Sequence, residues 1–194
     1  MKRPSATEDA GAVGTMPLRG YLASLARYHA WATAKLYEHV DRLDDADYRK
    51  DAGLFFKSVH GTVNHLLVAD TVWFPRFAEG VSNKVALDAE LESDRAALRD
   101  LLLAAVPRWQ TLIASFDDAR FAEASTLDYT TTQGIAQSLP FAPTLGHVFN
   151  HATHHRGQIT AAVTAMGYPC PEIDWVWKLQ AESRERSTSE NHYK

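Results

Sequence analysis

Residues 143–166 read PTLGHVFNHATHHRGQITAAVTAM, and the stretch carries two messages at once. Leu145, Val148, Phe149, Ala152, Ile159, Val163 and Met166 return at steps of three and four, the period of an amphipathic helix. Pro143-Thr144 starts that helix, and Gly167-Tyr168-Pro169 stops it. Within it, His147, His151, His154 and His155 place four of the nine histidines in nine positions. On a helix, His151 and His155 stand at i and i+4, about 6 Å apart along the axis, and can chelate one ion together.

Working outward, the same period recurs. Leu18, Leu22, Leu25, Tyr28, Ala32, Leu36 and Val40 predict a first helix over 17–42, opened by Pro17. After the turn Asp44-Asp45-Ala46-Asp47, Val59, Val63, Leu66, Leu67, Val72, Trp73 and Phe77 predict a second, ending near Glu79-Gly80, with His65 in its middle. Asp88 is the expected N-cap of a third helix through Leu91, Leu98, Leu102, Trp109 and Ile113, kinked or interrupted at Pro107 and finished before Phe116-Asp117-Asp118. Residues 119–142, rich in β-branched residues around Gly134, predict a short hairpin or ordered loop. A short helix around 174–180 follows the last long one.

The resulting expectation is an all-α protein. A disordered arm covers 1–16, a four-helix bundle domain 17–182, and a frayed tail 183–194. With 194 residues and 45% apolar content, one domain is expected. Twenty basic against 24 acidic residues, a formal charge of -4, offer no footprint for nucleic acid. One cysteine, Cys170, allows no intramolecular disulfide and no apolar leader follows the first charges, which predicts a cytoplasmic protein. No run reaches the roughly 18 apolar residues of a membrane span.

Bundles place metal sites between facing helices, so the histidines and the architecture agree. His147, His151 and His155 drift by about 40° per step and share a face, while His154 lies about 100° from His155. The pairs His147/His151 and His151/His155 both satisfy the spacing, and a third ligand must come from another helix, with His65 the best placed. The alternative is a set of polar core histidines satisfied by carbonyls and carboxylates. A zinc-protease helix would carry Glu beside its first histidine, and that position is Ala152. Three imidazoles without a carboxylate would leave a coordination position open, the pattern of a catalytic site, and Zn and Ni both suit nitrogen donors.

The segments GTVNHLLVADTVW (61–73) and FNHATHHRGQI (149–159), with the later PEID (171–174), resemble the DinB/YfiT-like metalloenzymes over residues 17 to 180. The resemblance implies a four-helix bundle, a homodimer, and metal held by one histidine of the second helix and an i, i+4 pair of the last long helix: His65, His151 and His155. His147 and His154 then play supporting or packing roles. Relatives that use mycothiol or bacillithiol as the transferred thiol, and maleylpyruvate isomerases, imply an enzyme in which a metal lowers the pKa of a low-molecular-weight thiol and presents the thiolate to a small-molecule electrophile. A metal-dependent hydrolase of an amide or ester is the second reading, and a non-enzymatic, stress-related metal-binding protein the third.

The remaining candidates have plainer expectations. Asp70, about 140° around the helix from His65, is expected to pair with a base such as Arg156. Trp31 and Trp73 are expected in the core, Gln158 as a donor into the cavity, and Gly157 at a close helix approach. His29, His39, His60 and His192 are expected at the surface or edge, and Cys170 as an inert loop thiol.

Overall fold

The computed structural model describes residues 17–191. The helices are α1 (Leu18–Val40), α2 (Asp45–Arg49), α3 (Val59–Ala78), α4 (Arg95–Ala105), α5 (Arg108–Ser115), α6 (Phe141–Ala165) and α7 (Trp175–Asn191). A hairpin of β1 (Thr126–Thr130) and β2 (Ala136–Pro140) precedes α6. α1, α3, the α4–α5 pair and α6 form the four-helix bundle, with α1 packed on α6, α5 and α4, and α3 packed on α4 and α6. The expected N-terminal arm, 1–16, lies outside the described residues, as does His192.

Four features differ from or sharpen the expectation, each for a local reason. The third bundle helix begins at Arg95, with the Asp94 side chain accepting from the Ala97 N–H, so Asp94 and not Asp88 is the N-cap. Residues 81–94 are instead an irregular strap held down by Asn64 of α3. The Asn64 Oδ1 accepts from the N–H groups of Leu91 and Glu92 at 2.8 and 3.1 Å, and its Nδ2 donates to the Glu92 carbonyl at 3.0 Å. At Pro107, which lacks an N–H, the helix divides outright into α4 and α5. α6 starts two residues early, at Phe141, because Pro143 in its first turn has no intrahelical donor to lose. α7 runs to Asn191, well past the short helix expected, and docks on α1 through the Arg27–Glu182 ion pair at 2.9 Å and the Tyr28 hydroxyl donating to the Ile173 carbonyl at 2.9 Å.

Pro75 sits inside α3 and leaves the Thr71 carbonyl, four residues back, without its helical donor. The Asn83 amide supplies one at 3.1 Å. Past this turn Gly80 takes φ +68°, and the chain leaves the helix.

The core has two parts. One is aliphatic, built on Leu36, Val40, Val63, Leu98, Leu102 and Ile159; the other is aromatic, built on Phe77, Trp109, Phe121, Phe141 and Phe149. Along α6 the change from one to the other falls between Phe149 and Ala152, and His151 stands at that seam.

Candidate metal centre

α3 and α6 bring His65, His151 and His155 together. The His151 Nε2 lies 3.3 Å from the Nε2 of His65 and 3.1 Å from that of His155, and one ligand nitrogen from each of the three falls within 4.8 Å of the others. His65 and His155 are each 5% exposed, and His151 is half-buried.

The far side of each ring decides what these nitrogens offer. The Leu87 carbonyl, on the 81–94 strap, lies 2.7 Å from His65 Nδ1 and can only accept, so the proton is on Nδ1 and the Nε2 carries a lone pair. His155 Nδ1–H donates to Gln158 Oε1 at 2.8 Å, with the same result. Burial first, and then mutual repulsion, holds the rings neutral: His151 is pushed down to about 3, and His155 to about 4 by burial despite the support of Gln158. Burial also lowers His65, partly offset by Leu87. A neutral His151 has one N–H and so can bond at most one of the two Nε2 atoms facing it. At least one of the close contacts therefore has a nitrogen lone pair facing a nitrogen with no proton between them, which a cation would relieve.

The donor set fits a divalent transition metal. Nitrogen donors at about 2.0–2.1 Å around a tetrahedral ion lie about 3.3–3.4 Å apart, close to the separations here. The accepting groups behind His65 and His155 are the partners that metal-bound imidazoles need to fix tautomer and ring orientation. His147 and His154 flank the triad, with ring centroids 5.6 Å from His151 and 4.9 Å from His155 respectively, and His147 also packs edge-on against Trp73 at 5.4 Å.

Beneath the triad, a cavity of about 20 Å³, room for a single water, is lined by His29, Asp70, Trp73, Trp109 and His151 among others. Asp70 does not meet Arg156. Its carboxylate accepts from Arg108 at 2.6 Å and from the Trp109 indole N–H at 2.8 Å, because its position on α3 faces α5 and not α6. Burial nonetheless raises its pKa, with Trp109 and Arg108 pulling the other way. Arg156 is fully buried and donates to neutral acceptors: His29 Nδ1 at 2.8 Å and the Thr153 hydroxyl at 3.0 Å. His29 is consequently a core residue, held neutral by burial and by the adjacent guanidinium, and not an edge one.

His60 is buried too, its Nε2 2.7 Å from Glu90, while half-buried His39 takes an edge position against the Pro169 carbonyl. Gln158 acts as an acceptor and not as the donor expected. Gly157 is exposed, with no atom within 4 Å of where a Cβ would stand. The close approach belongs to Gly61, where a Cβ would run into the Phe56 carbonyl oxygen. That contact seats the 52–58 turn on α3, and the Phe56 ring stacks on His65 at 3.8 Å, an arrangement no periodicity signals. Cys170 is partly buried, near the Thr160 carbonyl, and burial raises its pKa, away from reactivity.

Comparison with known proteins agrees with this architecture. The DinB family model matches residues 16–190. Protein DinB of Bacillus subtilis (strain 168) is 24% identical over 157 residues, which is 78% of this chain and 89% of that protein. YfiT from Bacillus subtilis, described as a probable metal-dependent hydrolase with an unusual four-helix bundle topology, matches with a TM-score of 0.63 at 17% identity, over 87% of this chain and 94% of its own, a likeness of fold. On the extent of the family match, the chain belongs to the DinB family.

Proposed function

We propose that this protein is a metal-dependent enzyme in which His65, His151 and His155 hold one divalent ion, Zn or Ni, and that it transfers a low-molecular-weight thiol to a small electrophile. The observation that carries the reading is the convergence of three neutral imidazole Nε2 atoms at 3.1 and 3.3 Å, two of them with their Nδ1 protons already committed to acceptors. Three neutral donors leave the full charge of a divalent ion uncompensated, and a thiolate, anionic and soft, balances it. When bound, the metal supplies Lewis acidity that makes the thiol acidic at neutral pH. The thiol proton leaves to solvent, the sulfur forms a bond to carbon, and the electrophile's leaving group departs with its electron pair. Leu87 and Gln158 keep the rings oriented through this, and the Phe56 ring keeps water off one face of His65.

A metal-dependent hydrolase is the second reading, favoured by the description of YfiT. It needs a base for the attacking water. Asp70, a carboxylate of raised pKa in the cavity that His151 lines, is the group to test for that role.

Metal content by mass spectrometry on tag-free protein, wild type beside His65→Ala and His155→Ala, is the first experiment. About one equivalent in the wild type, lost in both variants with the bundle still folded, supports the site. A conjugation assay with a chlorinated arene and small thiols follows. Chloride release that depends on both metal and thiol supports transfer; release of amide or ester products without a thiol favours the hydrolase; neither, in a loaded protein, leaves metal binding without catalysis. We further propose, from the family resemblance, that the protein is a homodimer, which sedimentation at several concentrations tests, and, from its single cysteine, that it acts in the cytoplasm.

A further inference from the structure

Beside the triad, and sharing Phe56 with it, lies a pocket of about 490 Å³, within the range of small-molecule sites. Its walls are the two segments that hold His65. One is the 52–58 turn, which contributes Phe55, Phe56 and Lys57; the other is the strap beyond Leu87, which contributes Asp88 and Glu90. Phe56 both lines the pocket and stacks on His65, so the pocket adjoins the triad.

The pocket carries charges of both signs, Arg49 and Lys57 against Asp51, Asp88 and Glu90, with the Asp51 carboxylate already accepting from the Gly53 N–H. Arg49 is engaged by the Asp45 carboxylate and the Ser93 carbonyl, and Glu90 by His60. Among the described residues, neither Lys57 nor Asp88 has an ion pair. Lys57 is also the one described residue other than glycine with a left-handed backbone, at φ +67°, fixed there by its N–H donating to Leu54 and its carbonyl accepting from Ala52. A glycine would take that conformation without strain, so a lysine there is explained by its ammonium group and not by its backbone.

We propose that this pocket recognises the substrate, and that it takes a small zwitterion whose carboxylate meets Lys57 and whose ammonium meets Asp88, its apolar body lying on Phe55 and Phe56. The inference rests on the metal-dependent reading of the adjoining triad. It makes Lys57 a specificity-determining residue for whichever reaction that site performs.

Calorimetry on the full-length, zinc-loaded protein tests it with alanylglycine, its N-acetyl form and its C-terminal amide. Alanylglycine is expected to bind at least about tenfold more tightly than either blocked form. Lys57→Gly should lose that preference for the free carboxylate while raising the melting temperature, because glycine removes the strain; Lys57→Arg should keep the preference. Asp88→Asn should weaken the free amine and leave the N-acetyl form unchanged. Equal binding of free and blocked dipeptides, no binding of alanylglycine, or a Lys57→Gly variant that binds as the wild type does would each overturn the proposal.

Cysteinylglycine separates this from the thiol reading. If it binds no tighter than alanylglycine while the zwitterion preference holds, the pocket stands and thiol transfer falls. If cysteamine and N-acetylcysteine bind the loaded protein as well as cysteinylglycine does, the thiol reading stands and the pocket falls.

Discussion

At the scale of single residues, the groups behind the histidines matter as much as the histidines. Gln158→Leu removes the acceptor of the His155 Nδ1 proton and frees the ring to turn or change tautomer. Metal affinity, measured by chelator competition, should fall about 10–100-fold, with the melting temperature of the metal-free protein little changed; unchanged affinity would mean His155 needs no such support. Gly61→Ala drives a methyl into the Phe56 carbonyl and should cost about 1–3 kcal/mol in urea unfolding. The spacing marks His151 but leaves His147 and His155 as equal partners for it; the family resemblance, and not the spacing, singles out His155 and His65. Leu87 was not legible, since a backbone carbonyl is the same on any residue, and Gly61 was not, since its neighbour arrives from a turn and not from a repeat.

At the scale of elements, the 81–94 strap positions the metal centre as much as α3 and α6 do. Asn64 pins it with three hydrogen bonds, and it returns the Leu87 carbonyl to His65, one residue along α3 from that anchor. Asn64→Ala should destabilise the protein by about 1–3 kcal/mol by taking the partner from the partly buried Leu91 and Glu92 amides, and should speed hydrogen exchange there more than elsewhere. Exchange that rises evenly over the molecule would show the strap is not a separate unit. The long helices could be read from apolar periodicity, and Pro107 from its missing donor. The strap could not, because Leu91 and Leu98 continue a helical spacing across a segment that Asn64 holds in another conformation.

For the whole molecule, burying neutral imidazoles sets the response to acid. His29 keeps a pKa well below its ordinary 6.5 in the folded protein, chiefly through burial and then through Arg156, and His65, His151 and His155 are lowered as well. Each binds a proton more readily unfolded than folded. The stability from burying it neutral is thus complete above pH 6.5 and drains away as the pH falls toward the folded value. His29 alone contributes a slope of up to about 1.4 kcal/mol per pH unit in that window. Urea midpoints of the metal-free protein should therefore drop steeply below pH 6.5, and a flat profile there would mean the buried histidines gain protons without unfolding. The bundle was readable from four amphipathic stripes, whereas the Arg156–His29 and Asp70–Trp109 pairings depend on which faces meet across helices far apart in sequence.

Trp73 stands beside the histidine cluster, packed on His147 and sharing with His151 the wall of the small cavity. That makes it a built-in fluorophore. Nickel, with its partly filled d shell, should quench its emission on binding while zinc leaves it bright, so a titration of the unlabelled protein would report occupancy as light. Trp73→Phe should reduce that change, the remainder coming from Trp109 on the wall of the same cavity.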